Sequence, residues 1–471
     1  MNLSNEIQQF DKLEIDFDKL VNSTQDVYEG CVLIINLHDK NRLNEFVDDS
    51  LTKKVEMIIT STKCDIKSEN IVKFKNFNEV YNHAVHKMLP NLNSINFFGI
   101  TGTNGKTTTG YYLNQLLGKN SLFIGTTEQN LFKEITNEEH LTTPKLFNIF
   151  KLLRKEKYKE IKNVILEVSS HALDQNRLEG INFLISGFTN LSQDHFDYHK
   201  NIEDYFQAKQ KLFHEEMSQQ FVYIDDGWGK KLKDTTRNKS YSVGYSQDND
   251  LHITSMYKNT KNNTFINFSL EGNDYSVELP FIGPNIDQNY LLAVGMAYFS
   301  NAIGIKDIIQ NSSNIKNPKG RFENISYNGN DIFIDYAHTP EAIKRAVDVA
   351  KDSYDKVIVI MGAGGNRDSI KRSSMGKAAN HADKVIITND NPRKENPMEI
   401  AKEILKGINL NKDVEIILDR RLAIKKGIDL LEGDDALLVL GKGHENTQEL
   451  KEGHVSFDDS IVVNEIIKEE K

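Results

Sequence analysis

A glycine-rich segment between an apolar run and a helical pattern constrains this chain more than any other feature. The segment covers residues 99–108 and reads G-I-T-G-T-N-G-K-T-T. A short apolar run at residues 95–100 leads into it, and a helical pattern covers about residues 106–117. Glycines allow backbone N–H groups to surround phosphates, and the N-terminus of the following helix attracts negative charge. The order of strand, glycine-rich loop and helix therefore predicts a nucleotide phosphate site in an α/β fold.

Two side chains in this loop favour a nucleotide over a glycine-rich turn that binds no phosphate. Lys106 is placed to reach the terminal phosphates, and Thr107 offers its hydroxyl to a magnesium ion. The strict pattern G-x-x-x-x-G-K-T requires a glycine where this chain has Ile100. The Gly-Lys-Thr core is intact, and we therefore predict that the loop binds a nucleotide.

The composition narrows the class of protein. A chain of 471 residues is longer than one ordinary core, which predicts roughly two to four domains. Lys and Arg number 58 against 68 Asp and Glu, and the resulting charge of −10 argues against nucleic acid as a partner. The two cysteines, Cys31 and Cys64, lack metal-ligand spacing and fit a reducing compartment. The N-terminus is no signal peptide and no apolar run would span a bilayer, so we expect a cytoplasmic protein without membrane insertion.

Three regions follow one another along the chain. Residues 1–90 contain weakly alternating segments and no phosphate loop, which is typical of a small α/β domain. Residues 91–318 alternate short buried runs with helical patterns, which predicts a parallel, doubly wound sheet. A more polar stretch at 247–274 predicts antiparallel strands at the periphery of that sheet. Residues 319–471 repeat the α/β rhythm and include a helix capped by Thr339.

A second group of polar residues follows strands of the central region. Glu167 ends an apolar run, and His195 and His199 follow the next predicted strand. Ligands in such sheets collect at the carboxyl ends of strands, so we expect Glu167 to face the phosphate loop. A buried glutamate needs a cation there, and a nucleotide-bound magnesium ion supplies one. A lone histidine is more often structural, but the nearby loop and the acidic neighbours give a ligand role equal weight.

Six motifs occur in a fixed order between about residues 94 and 448. They are T-G-T-N-G-K-T-T, E-V-S-S-H, T-N-L-S-Q-D-H-F-D-Y-H, D-Y-A-H-T-P, D-N-P-R and G-K-G-H-E. This order resembles the Mur ligases, and within that family the ligases that add the third residue of the peptidoglycan stem peptide. The resemblance implies an α/β protein of three domains. These are a divergent UDP-substrate-binding domain at 1–90, a central ATP-binding P-loop domain with a doubly wound sheet at 91–318, and a Rossmann-like α/β domain for the amino acid at 319–471.

The resemblance also implies a reaction. The chain would join meso-diaminopimelate to UDP-N-acetylmuramoyl-L-alanyl-D-glutamate through an acyl phosphate, with ATP as a substrate and Mg²⁺ as a cofactor, in peptidoglycan precursor synthesis. It would act as a monomer. D-N-P-R is the form found in family members that add diaminopimelate, whereas lysine-adding relatives typically lack the arginine. Diaminopimelate carries a second α-carboxylate, which Arg393 can bind with a bidentate fork.

The family motifs imply roles for particular residues of this chain. The implied catalytic residues are Lys106, Glu167, His195 and Lys209, with Lys209 carried as a carbamate (N6-carboxylated lysine). The implied metal ligands are Thr107, Glu167, His195 and the Lys209 carbamate. ATP would be bound by Gly102, Thr103, Asn104, Gly105, Lys106, Thr107, Thr108, Asn289, Arg321, Asp335 and His338. The muramoyl-peptide acceptor would be bound by Thr142, Thr143, Ser169, Gln175 and Arg177. The incoming amino acid would be bound by Arg367, Asp390, Asn391, Arg393, Gly441 and Glu445.

Two segments depart from the family pattern. The uridine signature Asp-Ser-Arg is replaced by Asn-Ser-Thr at residues 22–24, and the N-terminal region lacks the usual glycine-rich loop. The adenine-side signature G-x-F-N-x-x-N keeps only Gly283 and Asn289. The first departure concerns the binding of uridine, and the second concerns nucleotide geometry.

Other functions stay open on the sequence alone. A P-loop switch or motor protein would share the phosphate loop, but would not need the motifs near residues 390 and 441 in a separate domain. Folate polyglutamylation is a related ligase reaction, and the T-T-P and D-N-P-R motifs point away from it. The strongest rival is a related ligase that uses a different acyl acceptor, or lysine in place of diaminopimelate. A nucleotide-binding regulator without ligase activity is a further hypothesis. The presence of all four implied catalytic residues argues against it.

Overall fold

Three sheets of four, nine and six strands organise the chain. The computed structural model describes residues 4–127, 129–132, 135–136, 141–196, 198–259 and 262–469. The strands of the three sheets lie within residues 20–74, 96–279 and 323–440. The α/β fold with several sheets that the sequence predicts is therefore confirmed, while domain boundaries near 90 and 318 stay a prediction. Within the described ranges, no helix is both long enough and apolar enough to cross a membrane.

The first sheet is small and wholly parallel, in the order β1-β2-β3-β4. Its elements are α1 (Asn5–Phe10), β1 (Leu20–Val21), β2 (Val32–Ile34), α2 (Lys40–Thr52), β3 (Met57–Ser61), β4 (Ile71–Phe74) and α3 (Phe77–Lys87). Helix α3 buries Phe77, Val80 and Ala84, whose spacing places them on one helical face. That face packs into the same core as side chains of the second sheet, so the first two sheets share apolar packing.

The second sheet has nine strands in the order β13-β12-β11-β10-β9-β8-β5-β7-β6. Its elements are β5 (Asn96–Thr101), α4 (Lys106–Leu117), β6 (Ser121–Ile124), α5 (Leu146–Leu153), β7 (Asn163–Glu167), α6 (Ser170–Asp174), β8 (Ile185–Phe188), α7 (Ile202–Gln210), β9 (Gln220–Ile224), α8 (Gly227–Thr235), β10 (Lys239–Gly244), β11 (Leu251–Lys258), β12 (Thr264–Leu270), β13 (Asn273–Leu279), α9 (Ile286–Phe299) and α10 (Ile305–Ser312). The strands from β6 to β11 pair in parallel, and β12 and β13 add an antiparallel edge. The predicted antiparallel periphery is confirmed.

Both faces of this sheet are covered. Along β5, Phe97 joins one apolar core, while Phe98 and Ile100 join the core on the opposite face. This alternation follows from the two-residue period of a strand. Helix α9 is buried along most of its length against the second of these cores. A sheet buried on both faces is what a doubly wound arrangement requires.

The third sheet has the order β14-β15-β19-β16-β17-β18, with β14 as its antiparallel edge. Its elements, together with a separate hairpin of β20 and β21, are β14 (Glu323–Tyr327), β15 (Asn330–Asp335), α11 (Pro340–Lys351), β16 (Lys356–Met361), α12 (Lys371–Ala379), β17 (Lys384–Ile387), α13 (Pro397–Leu405), β18 (Asp413–Ile416), α14 (Arg420–Asp429), β19 (Asp435–Leu440), β20 (Thr447–Leu450), β21 (Gly453–Ser456) and α15 (Asp459–Glu469). The predicted cap is confirmed, because Thr339 Oγ1 accepts a hydrogen bond from the Ala342 N–H at 3.3 Å.

Candidate active site

The phosphate loop lies where the central sheet reverses its strand order. Strand β5 has β7 on one side and β8 on the other, and ligands collect at such switch points. Helix α4 begins directly after Gly105, which has a φ of +86° and makes no side-chain cap. A Cβ atom at Gly105 would lie 2.4 Å from Asn289 Oδ1, so only glycine fits there. The first turn of α4 therefore leaves backbone N–H groups available to an anion.

Two buried lysines converge on this loop. Lys106 Nζ donates to the carbonyl oxygens of Gly102 and Thr103 at 2.9 and 2.8 Å. Lys209 Nζ, from α7, donates to the same Gly102 oxygen at 2.8 Å and lies 4.3 Å from the ring centroid of Tyr205. Burial lowers the pKa of Lys106, and burial together with the Lys106 charge holds the pKa of Lys209 well below its ordinary value. Neither lysine forms an ion pair with a carboxylate of a described residue.

Glu167 lies beside the phosphate loop, which is the position that the sequence predicted. Its Oε1 accepts from the Thr126 N–H at 3.0 Å, and its Oε2 accepts from the Thr126 hydroxyl at 2.8 Å. The Thr107 hydroxyl lies 3.5 Å from that of Thr126 and accepts from Arg321 Nη2 at 3.0 Å. Sequence reasoning missed Thr126, because a threonine after a strand carries no motif.

The described residues form no ready-made metal cage. Among them, no group of three or more His, Cys, Asp or Glu side chains is close enough to hold a metal ion. The phosphate loop instead offers one carboxylate, Glu167, beside the hydroxyls of Thr107 and Thr126. Magnesium binds through one or two carboxylates and keeps water and phosphate oxygens as its other ligands. This donor set fits a magnesium ion that binds together with nucleotide phosphates.

His195 reaches the site from the loop after β8. Its backbone is left-handed, with a φ of +56°, and its ring centroid lies 5.0 Å from that of His171 and 6.1 Å from that of Tyr205. Burial lowers the pKa of His195 to about 4, although the neighbouring Asp194 carboxylate opposes this effect. The imidazole is therefore uncharged at neutral pH, and the uncharged imidazole is the form that binds metal ions.

Asp194 connects the central sheet to residues of the third sheet. Its carboxylate oxygens lie 3.5 Å from His195 Nε2, 4.0 Å from His338 Nε2 and 3.8 Å from Lys371 Nζ. Burial alone raises the pKa of Asp194, but these three neighbours outweigh burial and lower that pKa to about 2. Since His338 and Lys371 belong to the C-terminal region, the ionised carboxylate links two parts of the chain at the site.

Four of the five residues expected to bind the acceptor are joined by hydrogen bonds beside Glu167. The Thr143 hydroxyl donates to the Glu167 carbonyl oxygen at 2.8 Å and accepts from the Ser169 N–H at 2.9 Å. Arg177 Nη1 donates to the Thr143 carbonyl oxygen at 3.1 Å, and Arg177 Nε and Nη2 both donate to Gln175 Oε1 at 2.9 and 2.7 Å. Thr142 precedes Thr143 in the same bend and is half-buried. The structure therefore brings all five of these residues together.

A cavity of about 220 Å³ adjoins the phosphate loop. It is lined by seven of the eleven residues expected to bind ATP, which are Asn104, Gly105, Thr108, Asn289, Arg321, Asp335 and His338. The Arg321 guanidinium lies 4.5 Å from the ring centroid of Tyr336, a residue that the sequence analysis did not assign. Burial raises the pKa of Asp335, whose carboxylate accepts from the Phe322 and Ala337 N–H groups at 2.7 and 2.8 Å.

A second cavity, of about 240 Å³, shares Tyr336 and His338 with the first. All six residues expected to bind the amino acid line it: Arg367, Asp390, Asn391, Arg393, Gly441 and Glu445. Asp194 and His195 line it as well, so this cavity also contacts the central region. Gly441 has a φ of +111°, and a Cβ atom there would lie 2.5 Å from Asp390 Oδ2. The geometry therefore gathers residues that are far apart in the sequence into one pocket.

Two charged residues that contact the lining of this pocket were not assigned a role by the sequence analysis. Lys442 is fully buried, and its Nζ donates to Glu445 Oε2 at 2.9 Å, while Asn391 Nδ2 donates to the same oxygen at 2.9 Å. Glu449 pairs with Arg393, with 2.6 Å between Glu449 Oε2 and Arg393 Nε. Arg393 therefore already has a carboxylate partner within the chain.

Comparisons with known proteins point to one family. The model of the Mur ligase middle domain matches residues 100–297, and that of the Mur ligase glutamate ligase domain matches residues 320–443. The chain is 40% identical over 380 residues to a UDP-N-acetylmuramoyl-L-alanyl-D-glutamate--2,6-diaminopimelate ligase of Aquifex aeolicus, covering 79% of this chain and 77% of the relative. It is 32% identical over 475 residues to ligase 1 of that name from Clostridium acetobutylicum, covering 97% and 96%. A solved structure of a ligase of the same name matches with a TM-score of 0.65 at 25% identity, covering 100% of this chain and 99% of the other.

Proposed function

Because the chain belongs to the Mur ligase family, we propose that it is an ATP-dependent ligase that joins meso-diaminopimelate to UDP-N-acetylmuramoyl-L-alanyl-D-glutamate. The observation that carries this proposal is the pair of cavities with a common wall. One cavity adjoins the phosphate loop, and the other is lined by the six residues expected to bind the amino acid. An acceptor activated at the phosphate loop would lie beside the incoming amine. The names of the relatives support this choice of substrates.

The proposed reaction has two steps. The terminal carboxylate of the acceptor attacks the γ-phosphorus of ATP, so that an acyl phosphate forms and ADP leaves. An amine of diaminopimelate then attacks the acyl carbon, loses a proton and displaces inorganic phosphate. Carboxylate and phosphate charges repel one another as they approach, and Lys106 with the N-terminus of α4 would offset this repulsion.

Magnesium and a modified Lys209 belong to the same proposal. Thr107, Glu167, His195 and a carbamate on Lys209 would hold Mg²⁺, which neutralises phosphate charge when bound. A carbamate forms when an uncharged lysine amine attacks carbon dioxide, makes an N–C bond and releases a proton. The lowered pKa of Lys209 favours the uncharged amine and therefore supports this modification.

The two substrates would be recognised by opposite charges. Arg177, held by Thr143 and Gln175, would bind the muramoyl-peptide acceptor, with Ser169 and Thr142 beside it. Arg393 would bind the distal carboxylate of diaminopimelate, and Glu445 would bind an ammonium group of the amino acid. The free, buried thiols of Cys31 and Cys64 agree with a reducing cytoplasm, where we expect the protein to act as a monomer.

A related ligase with a different acyl acceptor is the second candidate, and the N-terminal sheet favours it. Ser23, in place of the uridine signature, uses its hydroxyl to accept from the Gln25 N–H at 3.3 Å. Asn22 Nδ2 donates to the Tyr81 hydroxyl at 3.0 Å. Both polar groups therefore already have hydrogen-bond partners within the chain, so the bonds seen at these positions do not depend on a nucleotide.

Phosphate release and product mass test the proposed function. The purified chain is incubated with ATP, Mg²⁺, the UDP-muramoyl-dipeptide and a panel of amino acids. We expect turnover with meso-diaminopimelate and kcat/KM about 10⁴-fold lower with L-lysine, because a site built to bind a substrate group rejects analogues that lack it. Equal use of both amino acids would favour the lysine alternative. Turnover with another acyl acceptor alone would favour the second candidate.

Lys106→Ala tests whether the phosphate loop is the catalytic site in that assay. We expect phosphate release to fall by at least about 10²-fold, because one charged group that stabilises the transition state is lost. Lys119→Ala is the matched control, since Lys119 is exposed just beyond the end of α4. Near wild-type release by a folded Lys106→Ala variant would contradict the assignment.

A further inference from the structure

The backbone around Arg393 is fixed to a strand that lies more than 50 residues further along the chain. Arg393 has a left-handed φ of +53°, which is uncommon outside glycine and asparagine. Its N–H donates to the Glu449 carbonyl oxygen at 3.1 Å. The Glu449 N–H donates to Asn391 Oδ1 at 2.9 Å. Strand β20 thus holds the loop on both sides of Pro392.

The Arg393 side chain is held at two separate atoms. Its Nε donates to Glu449 Oε2 at 2.6 Å, and its Nη1 donates to the Gly365 carbonyl oxygen at 2.9 Å. Within the described part of the chain, Nη2 donates to no residue, and Nη1 keeps a second hydrogen. The end of the guanidinium formed by Nη1 and Nη2 therefore remains available as a fork for a second carboxylate.

Glu449 stands behind this arginine. Among the described residues, those that line the amino-acid cavity include Arg393 but not Glu449. The pair is mostly shielded, with side-chain exposures of 22% for Arg393 and 35% for Glu449. A long arginine side chain loses rotamer entropy when it is held in one conformation. Because an internal carboxylate already holds it, this entropy is lost on folding and not on substrate binding. Glu449 also carries a negative charge that would repel an incoming carboxylate.

We propose that Glu449 is a positioning residue, which orients Arg393 so that its free fork faces the distal carboxylate of the incoming amino acid. This inference rests on the proposed function. The hydrogen bond to Nε provides the orientation, whereas the negative charge works against substrate binding. Removing the whole side chain and removing only its charge should therefore have different effects.

The first test compares Glu449→Ala and Glu449→Gln in the full chain, with kcat and KM measured for meso-diaminopimelate and L-lysine. Glu449→Ala should raise the KM for diaminopimelate about 10- to 100-fold with little change in kcat, since a hydrogen bond to a charged group is lost. Glu449→Gln keeps an oxygen acceptor for Nε, so its KM should stay at or below the wild-type value. The KM for L-lysine should change in neither variant. Glu452→Gln, exposed in the same hairpin, is the matched control and should behave as wild type.

A double-mutant cycle tests whether Glu449 acts through Arg393. In an Arg393→Ala background, Glu449→Ala should not raise the KM for diaminopimelate any further, because nothing is left to orient. Additive effects, or a Glu449→Gln variant as defective as Glu449→Ala, would overturn the positioning role. If Glu449→Ala fails to fold in a thermal melt, Glu449→Asp replaces it, with the same increase in KM expected from its shorter reach. A wild-type protein that cannot use diaminopimelate would instead refute the proposed function, and this inference with it.

Discussion

Lys106 and Lys209 both donate to the Gly102 carbonyl oxygen, and among the described residues neither meets a carboxylate within ion-pair distance. Burying a charge without a partner is costly, so proteins retain such groups mainly where a ligand supplies the partner. Arg420 offers the contrast within the same chain, because its buried guanidinium is fully paired with Asp459 at 2.7 Å. At the residue scale, therefore, the lack of an ion pair is what the proposed roles of the two lysines require, whereas the ion pair of Arg420 fits a structural role.

Lys209→Ala should be nearly inactive in the phosphate-release assay and partly restored by added formate or acetate. These small anions can replace the carbamate oxygens, while they cannot replace a structural lysine. Lys211→Ala is the control, since Lys211 forms a partly exposed ion pair with Asp174 at 3.1 Å. Full activity of Lys209→Ala without added anions would show that neither the amine nor its carbamate takes part.

The lowered pKa of His195 predicts a pH dependence of stability. Its folded pKa of about 4 lies below the ordinary value of 6.5, so the folded state favours the uncharged ring. The stabilisation is fully present above about pH 6.5 and is lost as the pH falls towards 4. The free energy of unfolding of His195→Gln, measured by urea titration, should fall less steeply across this window than that of wild type. His454 is exposed, so His454→Gln is the control and should keep the wild-type slope. Equal slopes for the two variants would contradict the assignment.

At the scale of elements, one buried arginine holds two strand ends of the amino-acid pocket. Arg420 Nη1 donates to the Asn389 carbonyl oxygen at 3.3 Å, and its Nη2 donates to the Leu440 carbonyl oxygen at 3.0 Å. These carbonyls directly precede Asp390 and Gly441, two residues expected to bind the amino acid. The ends of β17 and β19 are thus fixed relative to each other by the first residue of α14.

Asp459→Ala should lower the free energy of unfolding by about 3–5 kcal/mol, because it leaves the Arg420 charge buried and uncompensated. Arg421→Ala removes the neighbouring exposed pair with Glu465 and should cost about 0–1 kcal/mol. Urea titrations of both variants give the comparison. Equal losses would mean that burial does not set the strength of the Arg420 pair.

At the scale of the whole molecule, the site exists only where the central and C-terminal regions meet. Arg321 reaches Thr107 of the phosphate loop, and Arg345 Nη1 donates to Asn285 Oδ1 at 2.6 Å, where both residues line the cavity that adjoins this loop. Lys371 reaches Asp194 from the C-terminal region. Each region contributes one wall, so neither would hold both substrates alone.

From the hydrogen bonds beside the first sheet, we predict that kcat/KM for the acceptor depends only weakly on its uridine group. Because Asn22 and Ser23 hydrogen-bond within the chain, the acceptor would be held mainly by the group around Thr143 and Arg177. Replacing the UDP substrate by one without uridine should lower kcat/KM by no more than about tenfold. This corresponds to a loss of about 1.4 kcal/mol in transition-state stabilisation. A loss of several kcal/mol would reveal a uridine site of another form in this sheet.

The sequence by itself determined the features that depend on neighbouring residues. The phosphate loop, the start of α4 at Lys106 and the Thr339 cap all follow from local backbone preferences, and the structure contains them where they were predicted. The boundaries of strands are less local, since β8 starts only at Ile185, while Phe183 makes just an isolated bridge to Ser218. Local patterns also indicated the parallel sheets, since buried strands between helices have few other solutions.

Only the tertiary structure decided which distant side chains meet. Thr126, which contacts Glu167, and Glu449, which contacts Arg393, lie outside the motifs that the sequence analysis used to assign roles. Their contacts depend on how strands and loops from separate parts of the chain are brought to one sheet edge. Hydrogen bonds and ion pairs act over only a few ångströms, so a sequence pattern can supply the charged groups but cannot state which partner each one receives.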